Sequence, residues 1–210
     1  MNDQFLIYHG SPVKSLGGGK VSGRVVTFSG PEDPDRAGDF FDDERTDFWL
    51  SESDTTRPIL YRHGLDATIK LRRFGSATLS RAADGLWVTG YIPPRDKTSR
   101  ELLSLAEQGE LNWSSGSVSH LVRTTPVGKS RRIDSWPLAE ISLCPHSSVA
   151  EPRNLLSLKS FIDDSSDFDS LIANDCEARA ERAAHEFYGM LAKFEWERHQ
   201  ERMREIERGA

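Results

Sequence analysis

Up to about residue 155 the chain alternates short β-branched and apolar runs with clusters of Gly, Pro and Asp. That punctuation favours strands of a few residues joined by turns. Val21 to Phe28 reads as a strand, broken by Gly30-Pro31-Glu32-Asp33-Pro34. Pro58 to His63 is a second short apolar run. Ala77 to Ser80 and Leu86 to Tyr91 flank Asp84-Gly85 and read as a hairpin, because Asp-Gly is a strong turn signal. Between Thr98 and Gln108 the pattern turns helical: Leu102, Leu103, Leu105 and Ala106 recur at three-to-four spacing, and Gly109 stands where a C-terminal cap glycine would. Leu111 to Val122 reverts to strand, and Ile133 to Leu143 contains a further strand stopped by Pro145. Gly17-Gly18-Gly19-Lys20 lacks the spaced first glycine and the trailing Ser/Thr of a phosphate loop, and reads as a flexible N-terminal connection.

The character changes after Leu158. Asp163 to Asp169 is acidic and Ser-rich, as a linker would be, and Asn174 with Glu177 resembles a helix N-cap and its capping-box partner. Ala180, Ala184, Phe187, Leu191 and Phe194 form an apolar stripe of about two heptads that fades at Arg198 and Glu201. The expected division is therefore a folded domain over 1–159 and an acidic linker with a helical tail over 160–210.

Composition excludes several classes. The net charge of -6 over 210 residues argues against a general nucleic-acid or anionic-membrane binder. No apolar run reaches the ~20 residues that span a bilayer, and Met1-Asn2-Asp3-Gln4 lacks the basic, apolar start of a signal peptide. The two cysteines, Cys144 and Cys176, are far apart, which argues against a disulfide framework and for a reducing, cytoplasmic setting.

Of six histidines (His9, His63, His120, His146, His185, His199), His63 stands out. It ends the apolar run and precedes a glycine, a strand-to-loop edge that suits a general base as well as a partly buried structural histidine. Trp113-Ser114-Ser115-Gly116-Ser117 offers a serine nucleophile beside a glycine that admits close backbone approach; Ser-Gly clusters in ordinary turns look the same. On a strand, Ser114 and Ser115 point to opposite faces, so only one can meet His63. Glu140, inside the apolar run Leu138 to Leu143, either faces water on an edge or is buried against a partner such as a histidine, whose ring it would then orient. A metal site from Cys144, His146, His63 and Asp66 is conceivable, but no Cys-x-x-Cys or His-Glu-x-x-His pattern supports it. No cofactor is implied.

Taken in order, these pieces resemble the tailed-phage prohead (capsid maturation) serine proteases, which share the assemblin fold of herpesvirus capsid proteases. The resemblance runs from about Val21 to Asn154. It rests on Gly23-Arg24-Val25-Val26-Thr27-Phe28 with Arg36-Ala37-Gly38-Asp39, on the run into His63, and on Asp84-Gly85-Leu86-Trp87-Val88. The Leu-rich helix leading into the serine strand and Leu138-Ala139-Glu140-Ile141-Ser142-Leu143 complete it. It implies an α+β fold with a mainly antiparallel, barrel-like sheet and packed helices, and a catalytic set of His63, Ser114 and Glu140. Keeping the family's Ser-x-Gly in register assigns Ser114; counting from Gly109 favours Ser115, the alternative nucleophile. Asp66 stands three residues after His63, where relatives often carry an aspartate directly after the histidine, so its role stays open. The herpesvirus enzymes use a second histidine as third member; His120, tested for that part, lies six residues after Ser114, about 20 Å along a straight strand at ~3.3 Å per residue, so a sharp bend would be needed, whereas Glu140 has no such restriction. Arg131 or Arg132, or backbone N–H groups near the serine, are the candidate oxyanion donors.

The resemblance further implies cleavage of scaffold segments and of the major capsid protein precursor, with self-cleavage and self-association among the expectations. The setting would be an assembling procapsid in a bacterial cytoplasm. The reading from another class is an inactive capsid-assembly or scaffold protein on a protease-derived fold.

Overall fold

A computed structural model describes residues 5–51, 54–66, 68–138, 140–146 and 155–157, all within the first of two units into which the chain divides, Met1–Asp169. The expected linker and helical tail lie outside the described residues.

The strands are β1 (Phe5–Pro12), β2 (Lys14–Gly17), β3 (Lys20–Thr27), β4 (Asp39–Phe41), β5 (Thr56–Tyr61) and β6 (Gly75–Ala82). They continue with β7 (Gly85–Tyr91), β8 (Leu111–Val118), β9 (Arg123–Val127), β10 (Ser130–Ser135), β11 (Glu140–Pro145) and β12 (Leu155–Ser157). Nine of them form one sheet in the order β12-β1-β8-β11-β5-β6-β7-β3-β2, antiparallel throughout except where β11 lies parallel to β5. β1 pairs with β8, and the chain then bends at Val13 so that β2 pairs with β3. One continuous ribbon thus joins the two ends of the sheet and nearly closes it into a barrel. The closure is tight at Gly10: a Cβ there would stand 2.3 Å from the Arg24 carbonyl oxygen, so β1 can meet β3 only with a glycine at that point. A smaller sheet, β4-β10-β9, packs Phe41 edge-on against Tyr8 and Trp136, with ring centroids 4.9 and 5.5 Å apart.

Alternation sorts the two faces. Val21, Ile59, Ala77, Leu79, Val88, Leu111, Trp113, Ile141 and Leu143 fill the interior. The Trp113 indole donates to the Ser22 carbonyl oxygen at 3.0 Å and anchors the serine strand across the core.

In place of several packed helices, the described residues hold one α-helix, α1 (Lys97–Glu107). Asp96 caps it by accepting from the Ser99 N–H, while Ser99 bonds back to the Asp96 N–H. Gly109, with φ of 76°, closes its C-terminus as expected. Three local expectations shift. The glycine run is the tight turn of the β2–β3 hairpin: Gly17, Gly18 and Gly19 all have positive φ, and Gly17 faces Lys20. The β6–β7 turn is Ala83-Asp84 rather than Asp84-Gly85, with the Asp84 carboxylate held by the Arg24 guanidinium and the Trp87 indole. The run from Ile133 to Leu143 splits at Trp136-Pro137-Leu138 into β10 and β11, which belong to different sheets. The cause is that the Trp136 and Leu138 N–H groups turn to the Asp47 and Phe48 carbonyls instead of a common ladder.

Candidate active site

Three adjacent strands build the site. β8 and β5 flank β11, with Ser142 directly opposite Ser114 on one side and beside Leu60 on the other. Because Trp113, Ile141 and Leu143 point into the barrel, Ser114, Glu140, Ser142 and Cys144 share its outer face. Beyond β5 the chain enters a turn, Arg62–Gly64, with φ of 47° at Arg62, 56° at His63 and 75° at Gly64. Such left-handed conformations cost non-glycine residues about 1–2 kcal/mol each. The turn carries His63 back over β11, where its backbone N–H donates to Ser142 Oγ at 3.0 Å.

The result is a continuous hydrogen-bonded chain. His63 Nε2 lies 2.9 Å from Ser114 Oγ, and His63 Nδ1 lies 2.7 Å from Glu140 Oε1. The other carboxylate oxygen accepts from Ser142 Oγ at 2.6 Å. Glu140 and Ser114 are fully buried and His63 is 5% exposed, so the site is closed to bulk water. Burial pushes the His63 imidazole down, but the Glu140 carboxylate, with help from Cys144, more than reverses this and raises its pKa from 6.5 to about 10. Arg57 steadies the start of β11: buried itself, it donates to the Leu138 and Trp49 carbonyls and the Asp54 carboxylate.

Ser115 sits on the other face, opposite Tyr8 and Ile141, with its buried hydroxyl making no hydrogen bond among the described residues. The pleat therefore brings Ser114, not Ser115, to His63. His120 is exposed in a short turn, Ser119–Leu121, after β8. Asp66 accepts from the Thr68 and Ile69 N–H groups and so serves the loop after His63. Arg131 lies 2.8 Å from each Asp39 oxygen, and Arg132 bonds to Asp134, both from the smaller sheet. Ser114 and Ser115 lie in a strand paired on both edges, so their backbone groups are committed to ladders.

Of the four candidate metal ligands, only His63 and Cys144 meet, with Sγ 3.8 Å from Nε2; His146 bonds instead to Asn112. Among the described residues no cluster of three or more His, Cys, Asp or Glu side chains could hold a metal ion, and no helix is long and apolar enough to cross a membrane.

The sequence marked Cys144 only as a candidate metal ligand, His9 only as one of six histidines and Ser142 only as part of the motif around Glu140, and gave none of them a part in this site. His9 faces Ser114 across the β1–β8 ladder, and burial followed by the nearby His63 charge lowers its pKa to about 3, which keeps it neutral. The hints of Ser142 were that motif and its place two residues after Glu140, on the same face of a strand.

No family model and no curated protein matches the chain. Among solved structures it is similar to the bacteriophage T4 capsid assembly protease. The TM-score is 0.47 at 8% sequence identity, over 69% of this chain and 99% of that one.

Proposed function

We propose that the chain is a serine endopeptidase in which Ser114 is the nucleophile, His63 the general base and Glu140 the orienting carboxylate. The observation that carries this reading is the unbroken chain Glu140–His63–Ser114, at 2.7 and 2.9 Å. With Nδ1–H donated to Glu140, the ring is fixed in the tautomer whose Nε2 can accept a proton. Ser114 attacks the peptide carbonyl while its proton passes to Nε2. Glu140 then stabilises the imidazolium, which returns the proton to the leaving amine. Water repeats the sequence in reverse and frees the acyl group.

The motifs that resemble prohead proteases support the substrate class: scaffold segments and the major capsid protein precursor, with cleavage of the chain itself included. In this reading the enzyme self-associates and works inside an assembling procapsid in a bacterial cytoplasm. Residues 160–210, which lie outside the described residues, would deliver it there.

The closed site favours a second reading. A nucleophile with no exposed surface suits a capsid-assembly protein that has kept a protease framework without its activity. Co-expression with the capsid precursor separates the two. Mass spectrometry should find a shortened precursor with the wild-type chain and an intact one with Ser114→Ala. An intact precursor in both cultures would favour the inactive assembly protein.

A further inference from the structure

We propose that Ser142 is a positioning residue of the reaction, which holds the Glu140 carboxylate and the His63 turn in one geometry through a single hydroxyl. The proposal rests on the serine-peptidase reading and deepens it. Ser142 is fully buried on β11, directly opposite Ser114 and two residues from Glu140 on the same face. Its Oγ donates to Glu140 Oε2 at 2.6 Å and accepts the His63 N–H at 3.0 Å. Of the side chains this size, only a hydroxyl offers a donor and an acceptor together. The donated bond fixes one carboxylate oxygen and leaves the other aimed at His63 Nδ1. The accepted bond pins the N–H of a residue held at φ 56°, ψ 25°, inside a turn where Arg62 is also left-handed. Neither strained residue has a glycine's freedom, so the turn needs an outside tether.

The electrostatic consequence has a definite sign. Ser142 supports the negative charge on Glu140, and it does so most when His63 is neutral and the carboxylate has lost its cationic partner. Loss of the hydroxyl therefore makes His63 hold its proton more tightly. The acid limb of the reaction moves to higher pH, and fewer molecules carry a competent base at neutrality. A side chain that only filled space would lower stability without moving that limb.

The test uses the full chain as wild type, Ser142→Ala, Ser142→Thr and Ser142→Val, and measures the rate of Ser114 modification by an alkyl fluorophosphonate from acid to alkaline pH. Thermal melting is recorded beside it. Ser142→Ala and Ser142→Val should react about 10- to 100-fold more slowly, the worth of one hydrogen bond to a charged group, with the acid limb displaced upward. Ser142→Thr should recover most of the rate and the wild-type limb. Two results overturn the proposal: an unshifted limb in Ser142→Ala, or equal losses for threonine and valine. If the wild-type chain is itself unreactive, the serine-peptidase reading falls and this inference with it. If the wild type reacts but Ser142→Ala does not fold, the Ser142 hydroxyl proton decides: buried and donated to Glu140 Oε2, it should exchange slowly enough to be seen by NMR in the wild-type chain, and its absence refutes the proposal.

Discussion

Replacing Glu140 by Gln keeps the shape of the side chain and removes its charge. In the wild-type chain the carboxylate accepts at both ends, from His63 Nδ1 at 2.7 Å and from Ser142 Oγ at 2.6 Å. An amide can accept at only one end. If its oxygen faces His63, the amide N–H₂ meets Ser142, and the ring keeps its tautomer but loses its counter-charge. If its N–H₂ faces Nδ1, the ring must carry its proton on Nε2 and can no longer accept from Ser114. Loss of a charged hydrogen bond accounts for about 10- to 100-fold, and the wrong tautomer raises the loss to about 10³–10⁴. Above about pH 10, where the His63 ring is neutral in both chains, Glu140→Gln should therefore react about 10³-fold more slowly with a fluorophosphonate. The pH dependence gives the sharper readout. Burial alone pushes His63 down, and Glu140 holds it up; with the charge gone, burial acts unopposed. The His63 titration, followed by NMR, should drop from about 10 in the wild type to below its ordinary 6.5. A titration that stays high in Glu140→Gln would show that Glu140 is not the group that governs His63, and the orienting role would fail.

In the wild-type chain, modification of Ser114 should speed up as pH rises toward the raised His63 pKa of about 10, because only the neutral ring can take the serine proton; a rate that is flat from pH 7 upward contradicts the ion pair. The same shift implies that the His63 contribution to stability is fully present below pH 6.5 and is lost as pH rises through about 10. Melting curves between pH 8 and 11 should therefore show a fall that Glu140→Gln lacks. Ser115→Ala should leave the modification rate within about twofold and hold or raise the melting temperature, since it removes a buried hydroxyl without a partner among the described residues, a group that costs about 1–3 kcal/mol to desolvate; a large loss of reactivity would move the nucleophile. Truncation after Lys159 keeps every described strand and should leave a cooperatively melting, reactive domain that is poorly packaged into procapsids; intact packaging would end the delivery role.

Local signals marked the elements that depend on local chemistry. The Leu-rich helix with its Gly109 cap, the strand from Val21 and the β6–β7 hairpin could be read from period and punctuation. The trio His63, Ser114 and Glu140 could be named because the motifs around them resemble those of prohead proteases; the local pattern alone fitted a structural histidine, a turn serine and a water-facing glutamate as well. What brings them together is register, and register is non-local. Ser142 faces Ser114 because β11 pairs antiparallel with β8, and His63 reaches both because β11 pairs parallel with β5, about eighty residues away in sequence. No window around Ser142 or Cys144 carries that information. The smaller sheet was hidden for a similar reason, since β10 finds β4 across some ninety residues. The glycine run misled because a hairpin turn and a loose connection have the same composition; the close fit of β2 on β3 makes the difference.

The most direct test of the central claim is where a serine-specific reagent attaches. Wild-type chain, Ser114→Ala and His63→Ala are treated with a fluorophosphonate at pH 8, digested and mapped by mass spectrometry. One adduct is expected, on the peptide that contains Trp113-Ser114-Ser115 and on Ser114 itself. That adduct should be absent from Ser114→Ala and reduced by about 10⁴-fold or more in rate in His63→Ala, the typical cost of losing a base from a catalytic set. An adduct at full rate in His63→Ala, or one on any residue but Ser114, would contradict it.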